Sequence, residues 1–96
     1  MTYRIYQIRN MRNCRYAFED YDSAKDYFDL NDYDEVYSGQ FATSSSSSID
    51  VLEELFYKFN VKRPDDFKGH SLSVSDVVEL NNSKYYVDAL GWKKLD

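Results

Sequence analysis

The chain has 96 residues, 43% of them apolar and 18% aromatic, a formal net charge of −5 and one cysteine. That length supports one modest core, the bulky-residue content excludes a disordered chain, and a lone Cys14 excludes an intrachain disulfide, as suits a reducing cytoplasm. An acidic chain is a poor direct ligand for nucleic acid, because phosphate binding needs cations that displace counterions, although it can be drawn to the basic surfaces that bind nucleic acid.

The N-terminus MTYRIYQIRNMR has no apolar signal core and no window approaches eighteen apolar residues, so a soluble cytoplasmic protein with no membrane contact is expected. Ten tyrosines and six phenylalanines mean that the core is built largely from rings. Tyrosine hydroxyls need water or a partner, which places many of these rings at the edge of the core, where they can also serve as contact surface.

Thr2 to Arg9 sets Tyr3 and Ile5 on one face and Tyr6 and Ile8 on the other, the pattern of an interior strand. Asn10 to Asn13 reads as a polar turn, and Tyr16-Ala17-Phe18 as a short extended piece. Ser23 opens a capping-box-like S-x-x-D pattern with Asp26. Ala24, Tyr27 and Phe28 then recur at helical spacing, which predicts a helix from Ser23 to Asn31. Asp22, Asp26 and Asp29 would stand on its other side as a ladder of carboxylates, a pattern shared by ordinary solvated helix faces. Charge is unevenly spread here: residues 1–18 carry four arginines and no acid, whereas 19–35 carry eight carboxylates against Lys25.

DEVYSGQF, with Tyr33 just before it and Tyr37 and Phe41 within it, is a second strand candidate. Ser44 to Ser48 reads as a flexible loop, with Ser47 or Ser48 supplying an N-cap oxygen. Ile49, Leu52, Leu55, Phe56 and Phe59 then form one apolar helical stripe, with Asp50, Glu53, Glu54 and Lys58 opposite. Asn60 suits the end of that helix, and Pro64 prevents its continuation. Val77 to Leu80 and Lys84 to Asp88 flank Asn81-Asn82-Ser83 and predict a hairpin. Gly91-Trp92 reads as a turn or bulge before a short closing strand. The β-α-β-α-β-β order implies an α+β fold: residues 1–96 as one small domain, an antiparallel or mixed sheet with two helices on one face.

GHSLSVSDVVEL gathers the only histidine, His70, with Ser71, Ser73, Ser75 and Asp76. If extended, it would put the three serines on one face and Asp76 on the other, a poor geometry for a nucleophile that must touch its base. Hydrogen bonds from Ser73, Ser75 and Asp76 to nearby backbone, fixing entry into the hairpin, account better for these residues. No G-x-S-x-G elbow, phosphate-binding loop or dinucleotide fingerprint is present, and His70 lacks a second ligand at zinc spacing. No catalytic residue, metal or cofactor is expected.

Phe59-Asn60, Pro64 with Phe67 and Gly69, the SLSVSDV run from Ser71 to Val77, and Tyr86-Val87-Asp88 with Gly91-Trp92 together resemble the signature of YodL-like domains. The opening YRIYQIR and the DYDEVYSGQF stretch add weaker similarity, so the resemblance spans nearly the whole chain, with its specific part in the C-terminal third. The resemblance implies no catalytic residues. It implies interaction with host machinery, in Gram-positive bacteria and their plasmids, integrative elements and phages. One branch is associated with the actin-like cell-shape cytoskeleton, and small free-standing members resemble anti-CRISPR proteins that act on type II RNA-guided nucleases. A short acidic chain suits the second association, because such a nuclease holds its heteroduplex in a positively charged channel. The partner surface is accordingly expected on Asp22, Asp26, Asp29, Asp32, Asp34 and Glu35, with Tyr21 and Tyr33 as desolvated contacts.

Overall fold

The computed structural model describes residues 1–42 and 47–95. In chain order it holds strand β1 (Thr2–Ile8), helix α1 (Tyr21–Ala24), strand β2 (Tyr33–Gln40), helix α2 (Ser48–Val61), and strands β3 (Val77–Leu80), β4 (Ser83–Val87) and β5 (Trp92–Lys94). The strands form one sheet in the order β2-β1-β3-β4-β5, and every pairing is antiparallel. The fold is thus α+β as the sequence implies, with the closing strand as a fifth member of the sheet.

The helices, however, lie on opposite faces. Val77 and Val78 are both fully buried, and adjacent strand residues point to opposite sides. Val78, Leu80, Tyr3, Ile5, Tyr85 and Val87 pack beneath Val51, Leu52, Leu55 and Phe59 of α2. Val77, Tyr86, Ile8 and Tyr33 pack instead against Tyr16 of the 10–20 connection and Ala24 of α1. Strands that are apolar on both faces need cover on both, so the expected two helices on one face give way to three layers. Each of Leu52, Leu55 and Phe59 contributes about 1.5–3 kcal/mol by full burial.

α2 follows its sequence closely. Ser47 Oγ accepts from the Asp50 amide at 3.4 Å as N-cap, and the helix ends at Val61, before Pro64. Its buried stripe starts at Val51, whereas Ile49 is 50% exposed. Ser44 to Ser46 of the expected serine loop lie outside the described residues. The β3–β4 hairpin turns through Asn81 (φ 54°) and Asn82, with Leu80 paired to Ser83, and Gly91 (φ 79°) makes the turn into β5.

The N-terminal layer departs most from expectation. Tyr16-Ala17-Phe18 is a turn rather than an extended piece, and Phe18 takes φ 65°. α1 starts two residues early because Asp20, not Ser23, is its cap: Asp20 Oδ1 accepts from the Ser23 amide at 2.8 Å. The helix ends at Ala24, and Asp29 is extended (φ −144°, ψ 119°), its side chain capping a 3₁₀ turn over Leu30–Asp32. Asp side chains that bind nearby amides compete with helix propagation, so the Ser23–Asn31 helix does not form.

A candidate protein-binding face

The acidic segment crosses the layer opposite α2, and the structure divides its carboxylates into two kinds. Asp34 and Glu35, on edge strand β2, are paired with arginines in and just after β1: Glu35 with Arg4 at 3.3 Å and Asp34 with Arg9 at 2.9 Å. All four side chains are about half exposed, so these pairs hold little energy and partly cancel the local field. Asp22, Asp26, Asp29 and Asp32 are exposed, and among the described residues no cation lies within ion-pair distance of any of them. Asp29 Oδ1 accepts from the Asn31 amide, and Asp32 Oδ2 accepts from the Tyr16 hydroxyl at 2.8 Å. Both donors are neutral groups. Since α1 stops at Ala24, the expected ladder becomes a patch, with Asp29 and Asp32 set by the 3₁₀ turn.

The two tyrosines expected to make contacts fare differently. Tyr21 is half-buried, stacked edge-on against Tyr86 with centroids 5.3 Å apart, and its amide donates to Asp88 Oδ1. Tyr33 is core: 5% exposed, with its hydroxyl donating to the Ser75 carbonyl at 2.6 Å. Desolvation drives its phenol far above the ordinary range. Tyr33 heads a strand and faces Ile8 in register, which turns its ring inward rather than toward a partner.

The exposed rings of this face are Phe18, 61% exposed, and Tyr27, 48% exposed. Phe18 holds a left-handed backbone that bulky residues rarely adopt, maintained by its amide donating to Ser75 Oγ at 3.0 Å. Tyr27 carries the Arg15 guanidinium 4.0 Å from its ring centre, at the rim of a cleft of about 470 Å³ that also takes in Arg9, Cys14 and Asp32. Neither is legible in the sequence as a contact: Phe18 reads as the end of a short extended piece, and Tyr27 as a member of the apolar stripe of a helix that stops at Ala24.

The GHSLSVSD stretch builds no comparable surface. Residues 73–76 form a β-turn closed by the Asp76 amide on the Ser73 carbonyl, with Ser75 at φ 84°, so the stretch is not extended through its serines. The side chains do bind backbone: Asp76 Oδ2 accepts from the Ser73 amide at 2.8 Å, Ser73 Oγ donates to the Ser71 carbonyl, and Ser75 Oγ reaches across to Phe18. His70 turns Nδ1 to the Ser71 carbonyl at 2.7 Å and Nε2 toward Asp76 Oδ1 at 3.8 Å. In a nucleophilic triad the aspartate orients one nitrogen and the serine meets the other; here a backbone carbonyl occupies the second place. Among the described residues no group of three His, Cys, Asp or Glu side chains could hold a metal ion, and no helix is long and apolar enough to cross a membrane.

A family model described as YodL-like domain matches residues 2–96. No curated protein and no solved structure matches the chain.

Proposed function

The chain belongs to the YodL-like domain family, and from that premise we propose that it is a non-enzymatic inhibitor, carried by a mobile element, of a host type II RNA-guided nuclease. The patch of Asp22, Asp26, Asp29 and Asp32 occupies part of the basic channel that otherwise takes guide RNA or DNA. Phe18 and Tyr27 supply the desolvated contacts that hold the complex, the role large rings play at interfaces. Asp34 and Glu35, already neutralised by Arg9 and Arg4, form the rim.

The observation that carries this reading is the pairing of charge with exposure. Four carboxylates without a cationic partner sit on the same layer as two large rings left in water. Phe18 joins a strained backbone to a ring left in solvent, and such strain concentrates at working surfaces.

The test is capture from host lysate on the immobilised domain, with and without ribonuclease, scored for two named proteins. Enrichment of the nuclease, increased by ribonuclease because guide RNA no longer fills the channel, supports the reading. Enrichment of the actin-like filament protein, insensitive to ribonuclease, replaces it with a cytoskeletal role.

A further inference from the structure

Asp76 is fully buried, and its two carboxylate oxygens are not alike. Oδ2 accepts from Gln7 Nε2 at 3.0 Å and from the Ser73 amide at 2.8 Å. Oδ1 is the one buried side-chain polar atom among the described residues with no hydrogen-bond partner. What faces it is His70 Nε2, at 3.8 Å.

The other ring nitrogen fixes the tautomer. His70 Nδ1 lies 2.7 Å from the Ser71 carbonyl oxygen, which can only accept, so Nδ1 carries hydrogen. Gln7 spends its two amide hydrogens on the His70 carbonyl, at 2.8 Å, and on Asp76 Oδ2. The 3.3 Å approach of Gln7 Nε2 to His70 Nδ1 is therefore two donors side by side. A neutral His70 would aim a bare lone pair at the bare lone pairs of Asp76 Oδ1. Two acceptors facing each other over a buried carboxylate need a proton between them.

We propose that His70 and Asp76 hold one shared proton at neutral pH, and that its loss unlatches the segment 62–76 from Gln7. The proton sits on Oδ1 facing Nε2, or on Nε2 facing Oδ1; in either arrangement, closing the 3.8 Å gap to hydrogen-bond distance gives the orphan oxygen a partner. Gln7 grips the same segment, accepting from the His70 amide at 3.2 Å while donating to its carbonyl. Gly69 lets the segment approach this closely, since a Cβ there would overlap Gln7 Oε1 and meet the Phe67 ring at 2.9 Å. Proton loss leaves a buried carboxylate whose Oδ1 faces neither a proton nor a cation. Tyr33, whose hydroxyl holds the neighbouring Ser75 carbonyl, also senses Asp76, but it is a phenol held neutral by burial. Among the described residues no Lys or Arg pairs with Asp76.

Burial pushes the Asp76 carboxyl up to about 7, against the opposing pull of the Ser73 amide, His70 and Gln7. A folded-state value above the unfolded one favours the protonated form in the fold. In the unfolded chain a free histidine holds that one proton up to about 6.5, so the stability the shared proton confers is lost as pH rises from there through about 7.

The test compares melting temperature from pH 5.5 to 8.5, at fixed salt, for wild type and Asp76→Asn. A carboxamide keeps an acceptor for Gln7 and Ser73 and donates permanently to Nε2, imitating the protonated latch. Wild type should lose about 4 °C as pH rises through neutrality, and the variant should not fall. A second measurement, independent of how the variant folds, is the carbon-13 NMR titration of the wild-type Asp76 carboxyl, expected to break near neutrality. A carboxyl that titrates near 4 like exposed ones, or a variant whose melting falls in parallel with wild type, overturns the latch.

Discussion

The backbone amide of Phe18 donates to the hydroxyl of Ser75 across 57 residues of sequence, and both residues have positive φ. One bond thus fastens two strained turns, the one that presents an exposed ring and the one that leads into β3. Replacing Ser75 by Ala leaves a part-buried amide unpaired, which costs about 1–3 kcal/mol and lowers the melting temperature by roughly 4–8 °C per kcal/mol in a domain of this size. Ser75→Gly loses the same bond but relieves the backbone, and should melt above Ser75→Ala in a thermal scan.

Tyr33 and Phe18 should separate stability from binding. Tyr33→Phe removes the donor to the buried Ser75 carbonyl and should cost about 1–3 kcal/mol by denaturant unfolding while leaving nuclease affinity unchanged once folded. Phe18→Ala, in contrast, should stay within about 0.5 kcal/mol of wild-type stability, as surface changes do, yet weaken binding by about 30-fold or more, the loss typical of an interface anchor. Calorimetric titration of both variants checks the pair. Equal affinity for Phe18→Ala and wild type would move the interface off this face.

Gly69→Ala should destabilise by about 1–3 kcal/mol, the range for overpacking a filled site, because the new methyl meets Gln7 and the Phe67 ring. Hydrogen exchange should localise the loosening to residues 67–73 and to Gln7. Uniform protection in the variant would mean that the segment adapts without surrendering its grip on β1.

Which of these features the sequence displays follows from how local their causes are. α2, the Asn81-Asn82 hairpin and the Gly91 turn are written in nearest-neighbour terms: an apolar stripe, a cap, a turn residue. The placement of α1 is not local. Val77 and Tyr86 read as ordinary strand apolar residues, and only pairing with β1 reveals that their side of the sheet also needs covering. The same holds for the site. Acidic content was visible, but the neutralisation of Asp34 and Glu35 by Arg9 and Arg4 depends on β1–β2 register, and the burial of Tyr33 on its contact with Ser75. Asp20 took the cap expected of Ser23 because either residue can serve, and the choice is made by where the chain enters the layer.

Charge should act mainly on the approach of the two proteins. The triple variant Asp22→Asn/Asp26→Asn/Asp29→Asn should associate with the guide-free nuclease on the order of 10-fold more slowly at low salt, with a smaller change in dissociation, as rim charges behave. Surface plasmon resonance at rising salt should bring the two proteins together, since screening removes what the substitutions removed. Identical rates at every salt concentration would leave these carboxylates merely solvated.

The central claim is that the acidic face and guide or target nucleic acid compete for one basic channel. The most direct measurement is order of addition in a DNA-cleavage assay with a purified type II RNA-guided nuclease. The domain is added either before guide RNA or after the guide and target DNA are bound. Inhibition that is strong in the first order and lost in the second is the expected result. Equal inhibition in both orders, or none in either while the domain remains folded, would contradict competition for the channel.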